Sequence, residues 1–140
     1  MPASHKIDDV LGLIVTTWSG AASDAAVIEA LQNYCKDIRS QPKYRAYHEL
    51  VDFTPATELL LTSRGIVELS RIAAKADGPG VKTKLAIIVS SSLGYGLGRM
   101  YQIYRNMVPS AQKELGVFKT YREGLKWIGH EYDVEPSIRQ

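Results

Sequence analysis

From Lys84 to Met107 the chain reads KLAIIVSSSLGYGLGRMYQIYRNM, and its hydrophobic period changes within a few residues. Leu85 to Val89 is a short β-branched run of the kind that fills an inner strand. Three serines stop it. Leu93, Leu97, Met100, Tyr101, Tyr104 and Val108 then recur at the spacing of one helical face. A buried strand that passes through a Ser/Gly turn into a helix is the building unit of α/β folds. A strand without polar alternation also needs cover on both sides, so further strands and helices must surround this one.

The remaining segments supply them. His5 to Asp8 and Leu13 to Ser19 read as a hairpin around Asp9-Val10-Leu11-Gly12, with Gly12 at the turn. Ser23 and Asp24 open a helix whose stripe is Val27, Leu31 and Tyr34. Tyr47 to Phe53 is a third strand, and Pro55 breaks the chain after it. Thr62 caps a second helix with Ile66, Leu69 and Ala73 on its apolar face, and Asp77-Gly78-Pro79-Gly80 stops it. Leu115 to Lys119 is a fifth strand. Thr120 and Glu123 form a capping box that opens a last helix burying Tyr121, Leu125 and Ile128.

The order is ββαβαβαβα. Only the first pair can close as a tight hairpin; every later strand returns through a helix and so pairs in parallel. The expected fold is a single α/β domain over residues 1–129, with a mixed, mostly parallel five-strand sheet and an antiparallel N-terminal strand. Residues 130–140 lack periodicity and read as a loosely ordered tail. His48 and Asp52 share one strand face, and Thr16 and Trp18 share one face of another, so part of the sheet is expected to lack helical cover.

Composition excludes several classes of function. A chain of 140 residues can bury roughly two-thirds of its unfolded surface in one core. The formal net charge of +2 is too small to indicate nucleic-acid binding. The basic run Lys36, Arg39, Lys43 and Arg45, diluted by Asp37, reads as a solvated loop. The single cysteine, Cys35, rules out an intrachain disulfide and fits a reducing, cytoplasmic setting. Lying between Leu31 and Ile38, it reads as a small core hydrophobe. The first residues lack the apolar stretch of a signal peptide, and no run approaches the roughly 18 residues needed to span a membrane. His5, His48 and His130 show no metal-ligand spacing, so neither a metal nor a cofactor is expected.

The order of elements, LVDF closing the third strand, LAIIVSSSLGYGLGRMY and the terminal VFKTYREGLKWI together resemble the bacterial STAS-like proteins. These are small domains with the fold of anti-sigma-factor antagonists, sometimes grouped with CRAL-TRIO lipid-binding domains. The similarity spans roughly residues 5 to 129 and implies a non-catalytic regulatory domain that acts on a protein partner. In anti-sigma-factor antagonists an Asp-Ser-Ser-Gly turn opens the helix after the third strand, and its second serine is phosphorylated. Ser63 matches that phosphoacceptor and Thr62 the residue before it; Leu61 stands in place of the aspartate and Arg64 of the glycine. A phosphate there would meet the positive end of the helix dipole. Thr62 is also explained as an N-cap contributing about 1 kcal/mol.

Ser90, Ser91 and Ser92, followed by Gly94, Gly96 and Gly98, form a second candidate. Hydroxyls and close backbone approach at a helix start can cradle an anion, but the spacing matches no nucleotide motif. Capping and close helix–sheet packing explain these residues more simply, although Gly94 and Gly98 would also admit a twin subunit. Asp52 ends its strand, where ligands gather in open α/β sheets, and either pairs with Arg99 or caps the Thr54-Pro55 turn. Thr54, Thr62, Ser63, Ser90, Ser91 and Ser92 are therefore expected to line one shallow polar cleft beside Asp52, open to an anion or a partner's side chain. No residue set completes an active site, and no G-x-S-x-G elbow exposes a nucleophile. The reading is a regulatory or interaction domain, forming a homodimer. Tyr95, Tyr101, Tyr104 and Trp18 support the alternative, a carrier of a small apolar or lipid-like ligand.

Overall fold

A computed structural model describes residues 2–77, 82–107 and 113–129. Gly78 to Gly80 of the expected stop signal, Val108, and the expected tail 130–140 with His130 lie outside them. Strands β1 (Ala3–Asp8) and β2 (Leu13–Trp18) form the N-terminal hairpin. Gly12 turns it with φ +65°, and Asp8 Oδ1 accepts from the amides of Val10 and Leu11. Then follow β3 (Gly20–Ser23), α1 (Asp24–Tyr34), β4 (His48–Asp52), β5 (Ala56–Leu60), α2 (Ser63–Ala76), β6 (Thr83–Ile88), α3 (Ser92–Asn106), β7 (Lys113–Phe118) and α4 (Tyr121–Ile128). Ser23, Thr62, Ser91 and Thr120 each cap the helix they precede, accepting from an amide in its first turn.

The main sheet runs β1-β2-β4-β6-β7, antiparallel between β1 and β2 and parallel elsewhere, as the order of elements requires. A second, two-stranded parallel sheet joins β3 to β5 and is an addition to the expected order. GAAS carries no β-branched or aromatic residue, so its extended state comes from pairing with β5 and not from local preference.

The two faces of the main sheet are built differently. On one, α4 places Tyr121, Leu125 and Ile128 against Leu13, Val15, Leu50, Ala86 and Ile88. On the other, α1, α2 and α3 cover Trp18, Leu85, Ile87, Val89, Leu115 and Val117. The face that α3 turns inward is rotated from the expected stripe: Gly94, Gly98 and Arg105 are buried, whereas Leu93 is 62% exposed. A Cβ on Gly94 would lie 2.9 Å from Val89 Cβ, and one on Gly98 would lie 2.8 Å from Val117 Cγ1. These glycines let the helix descend onto the sheet, so they serve internal packing and offer no seat to a second subunit.

Candidate functional site

The strand ends where a cleft was expected hold the residues but do not join them. Asp52 closes β4, is buried, and accepts the Thr54 amide at 2.9 Å. It is the turn cap of the two roles considered, since Arg99 turns instead to Gln102 Oε1 at 2.9 Å. Thr54, Thr62, Ser63, Ser90, Ser91 and Ser92 are exposed. Ser91 caps α3 and Thr62 caps α2. Among the described residues, no hydrogen bond links Asp52, the α2 turn and the α3 turn to one another.

The start of α2 already holds an anion. Asp24 Oδ1 accepts the Thr62 amide at 2.9 Å, and Thr62 Oγ1 donates to Asp24 Oδ2 at 2.5 Å. The carboxylate lies so close that a Cβ on Gly65 would overlap it. Asp24 thus ties the first turn of α1 to that of α2 in a charge-assisted pair. Asp24→Ala is expected to lower stability by about 1–2 kcal/mol, measured by urea unfolding. A loss no larger than that of an exposed control such as Glu29→Ala would show that this tie contributes nothing.

The larger feature lies beneath the helices. A cavity of about 170 Å³ lies between the main sheet and α1, α2 and α3. Its walls are mostly apolar, with Trp18, Leu31, Phe53, Ile66, Leu69 and Leu97 among them. It runs to the amino-terminal ends of the parallel strands, and there its lining turns polar. Glu49, the second residue of β4, points into this end and is 7% exposed. Tyr34 Oη donates to Glu49 Oε2 at 2.6 Å, Lys113 Nζ donates to Glu49 Oε1, and Arg39 Nη1 stands 3.8 Å from the same oxygen. Beside them Arg105 donates to Tyr101 Oη at 2.9 Å and to Asp77 Oδ2 at 2.5 Å.

Local sequence explains the gathering. The helical path of α1 continues through a π turn, Cys35–Arg39, that swings Arg39 inward; it is buried, contrary to the solvated loop expected of it. Asp77 ends α2, Arg105 lies in the last turn of α3, and Lys113 opens β7. Three helices therefore finish over one site, and their negative dipole ends favour the cations that meet there.

The protonation states fit binding better than proton transfer. Burial alone would raise the Glu49 carboxyl, but Lys113 and Arg39 outweigh it and hold the group below its ordinary value. Burial, reinforced by the Glu49 charge, raises both the Tyr34 phenol and the Cys35 thiol, so both stay protonated at neutral pH. His5 donates or accepts at Thr16 Oγ1 over 2.7 Å, and its own burial lowers its pKa. Glu49 is an ionised acceptor surrounded by donors.

Sequence reasoning missed this cluster because its members are scattered; Glu49 and Lys113 are 64 positions apart. One signal was available. A charge within a central strand covered on both faces must find partners.

No family model matches the chain, and no curated protein matches it. Among solved structures it is similar to an uncharacterised protein of the DUF3478 family with a SpoIIAA-like fold, from Shewanella loihica PV-4. The two are 17% identical, the match covers 90% of this chain and 91% of the other, and the TM-score is 0.51. The likeness is one of fold: a SpoIIAA-like α/β domain, in keeping with the STAS-like resemblance of the sequence.

Proposed function

We propose that this domain is a non-catalytic carrier of a small apolar ligand held between the main sheet and α1–α3. The observation that carries the reading is the cavity of about 170 Å³ with apolar walls. An apolar space of roughly 150 Å³ accepts a molecule the size of benzene. Ligand sites are generally such mostly apolar recesses with a few convergent polar groups. Toluene titrated into the protein is expected to shift the amides of cavity-lining residues such as Leu69 and Leu97 first. Ala73→Leu, which adds side-chain volume on the cavity wall, is expected to abolish those shifts and to raise stability by about 0.5–2 kcal/mol. Shifts confined to surface residues of the wild type would end the proposal.

The regulatory role, acting on a protein partner, has one feature in its favour: Ser63 stands exposed in the first turn of α2. Asp24 weighs against a phosphate switch there, because a phosphoserine would add charge beside a carboxylate that already occupies the helix start. Homodimerisation rests on exposed apolar side chains of α2 and α3, Val67, Leu93 and Ile103, with Met107 just after α3. Cytoplasmic residence belongs to the same reading; no described helix is long and apolar enough to cross a membrane.

A further inference from the structure

We infer that the ligand of this cavity is a compact monocarboxylate, its apolar body the size of one ring and its carboxylate held by Lys113 and Arg39. The inference rests on the carrier reading and adds the ligand's chemistry. Size sets the body: about 170 Å³ accommodates a ring or a short branched chain.

Unspent donors set the head group. Lys113 is 8% exposed and Arg39 6%, and both line the cavity. Lys113 uses one of its three N–H bonds, on Glu49. Arg39 uses one of its five on the Tyr44 carbonyl, and its Nε and Nη2 have no partner among the described residues. The carboxylates of this end, by contrast, are engaged: Glu49 by Lys113 and Tyr34, and Asp77 by Arg105. Asp77 Oδ1 keeps some acceptor capacity, but the capacity left on Lys113 and Arg39 is that of donors, which a ligand answers with an acceptor. Charge points the same way, because among the described residues Arg39, Lys113 and Arg105 pair only with Glu49 and Asp77. The C-terminal dipole ends of the three helices offset part of that excess. They do not use up the donors: among the described residues no carbonyl at the end of α1, α2 or α3 accepts from these three cations. A carboxylate takes a guanidinium or an ammonium through charge-assisted bonds, which a neutral acceptor cannot match.

Benzoate, benzyl alcohol and toluene share one body and differ in the head, so their affinities test the inference. Benzoate is expected to bind at least about tenfold tighter than benzyl alcohol at pH 7, with amide shifts at Arg39 and Lys113. Glu49→Gln removes the internal competitor and leaves Lys113 without its carboxylate. In that variant benzoate should bind roughly tenfold tighter than in the wild type and raise the melting temperature by more, because the ligand restores the missing charge. Toluene binding with benzoate no tighter than benzyl alcohol would overturn the inference and leave the carrier reading standing. Weaker benzoate binding in Glu49→Gln would overturn it too, as would benzoate shifts confined to Lys36, Lys43 and Arg45. If none of the three compounds enters, the carrier reading falls with it. Should Glu49→Gln fail to fold, the three affinities of the wild type decide alone.

Discussion

Lys113→Met is expected to lower the stability of this domain by about 3–5 kcal/mol, the usual loss when one partner of a buried ion pair is removed. The size follows from what remains. Glu49 is 7% exposed, and without Lys113 its carboxylate keeps only the Tyr34 hydroxyl and Arg39 at 3.8 Å. Urea unfolding measures the loss as a fall in midpoint at constant slope. The double variant Lys113→Met, Glu49→Gln should recover much of it, since an amide can be buried without a counter-charge at far lower cost. The pH dependence gives an independent check. In the wild type Glu49 has a folded pKa below its ordinary 4.5, so its contribution is complete above that pH and is lost as pH falls through the folded value. In Lys113→Met the largest opposing charge is gone while burial still raises the group, so its pKa is expected to move upward and protonation to relieve the strain of a poorly paired charge. The gap between wild type and variant should therefore narrow as pH falls from 7 toward 4.5. A gap that stays constant would mean that Lys113 acts through packing alone.

The parts of the fold that were legible are those in which local chemistry and tertiary demand coincide. Gly12 at the hairpin turn, Ser23, Thr62 and Thr120 at helix starts, and Leu85 to Ile88 as a buried strand all lie where their residue types point. Misreading began where a helix needed closeness more than hydrophobicity. The apolar stripe of α3 suggested that Leu93 faces the core, but Gly94 and Gly98 take the sheet-facing positions because the strands beneath allow no Cβ there. The β3–β5 pair was illegible for another reason. Neither GAAS nor ATELL has a strand pattern of its own, and each is extended because the other is.

The sequence pointed to one end of the sheet, and the buried charges gather at the other. Ligands of open α/β folds usually collect at the carboxyl ends of strands, and the serines and threonines capping α2 and α3 lie there. They cap helices, and Asp24 occupies the anion position of one. The charged groups that converge do so at the amino ends, beneath three helix C-termini, and they come from segments that carry no motif. Arg39 reads as one of a solvated basic run, and neither Lys113 nor Arg105 stands out in the sequence; only burial brings the three together.

The contrast between the two sheet faces leads to the second large expectation, a pair of truncations of similar side chains. Leu125 of α4 is 1% exposed and Leu69 of α2 is 5% exposed, so both are buried leucines on helices. Leu125 packs among Leu13, Leu50, Ile88 and their neighbours in the core that α4 closes. Leu69 lines the cavity, so part of its surface faces the cavity and not neighbouring side chains. A fully packed leucine gives up all its dispersion contacts on truncation and leaves a void, at a cost of about 3–5 kcal/mol. Leu69→Ala only extends a void that exists, and is expected to lose about 2 kcal/mol. The effect of Leu125→Ala is sharpened by the length of α4: an eight-residue helix has little stability of its own and depends on Tyr121, Leu125 and Ile128 to stay docked. Its amides should therefore lose hydrogen-exchange protection before those of α2 do. Leu69→Ala should in turn bind toluene at least as tightly as the wild type and admit a larger apolar probe such as naphthalene. Equal losses in the two variants, with naphthalene excluded from both, would mean that the helix-trio face is packed as tightly as the other and that no ligand is carried there.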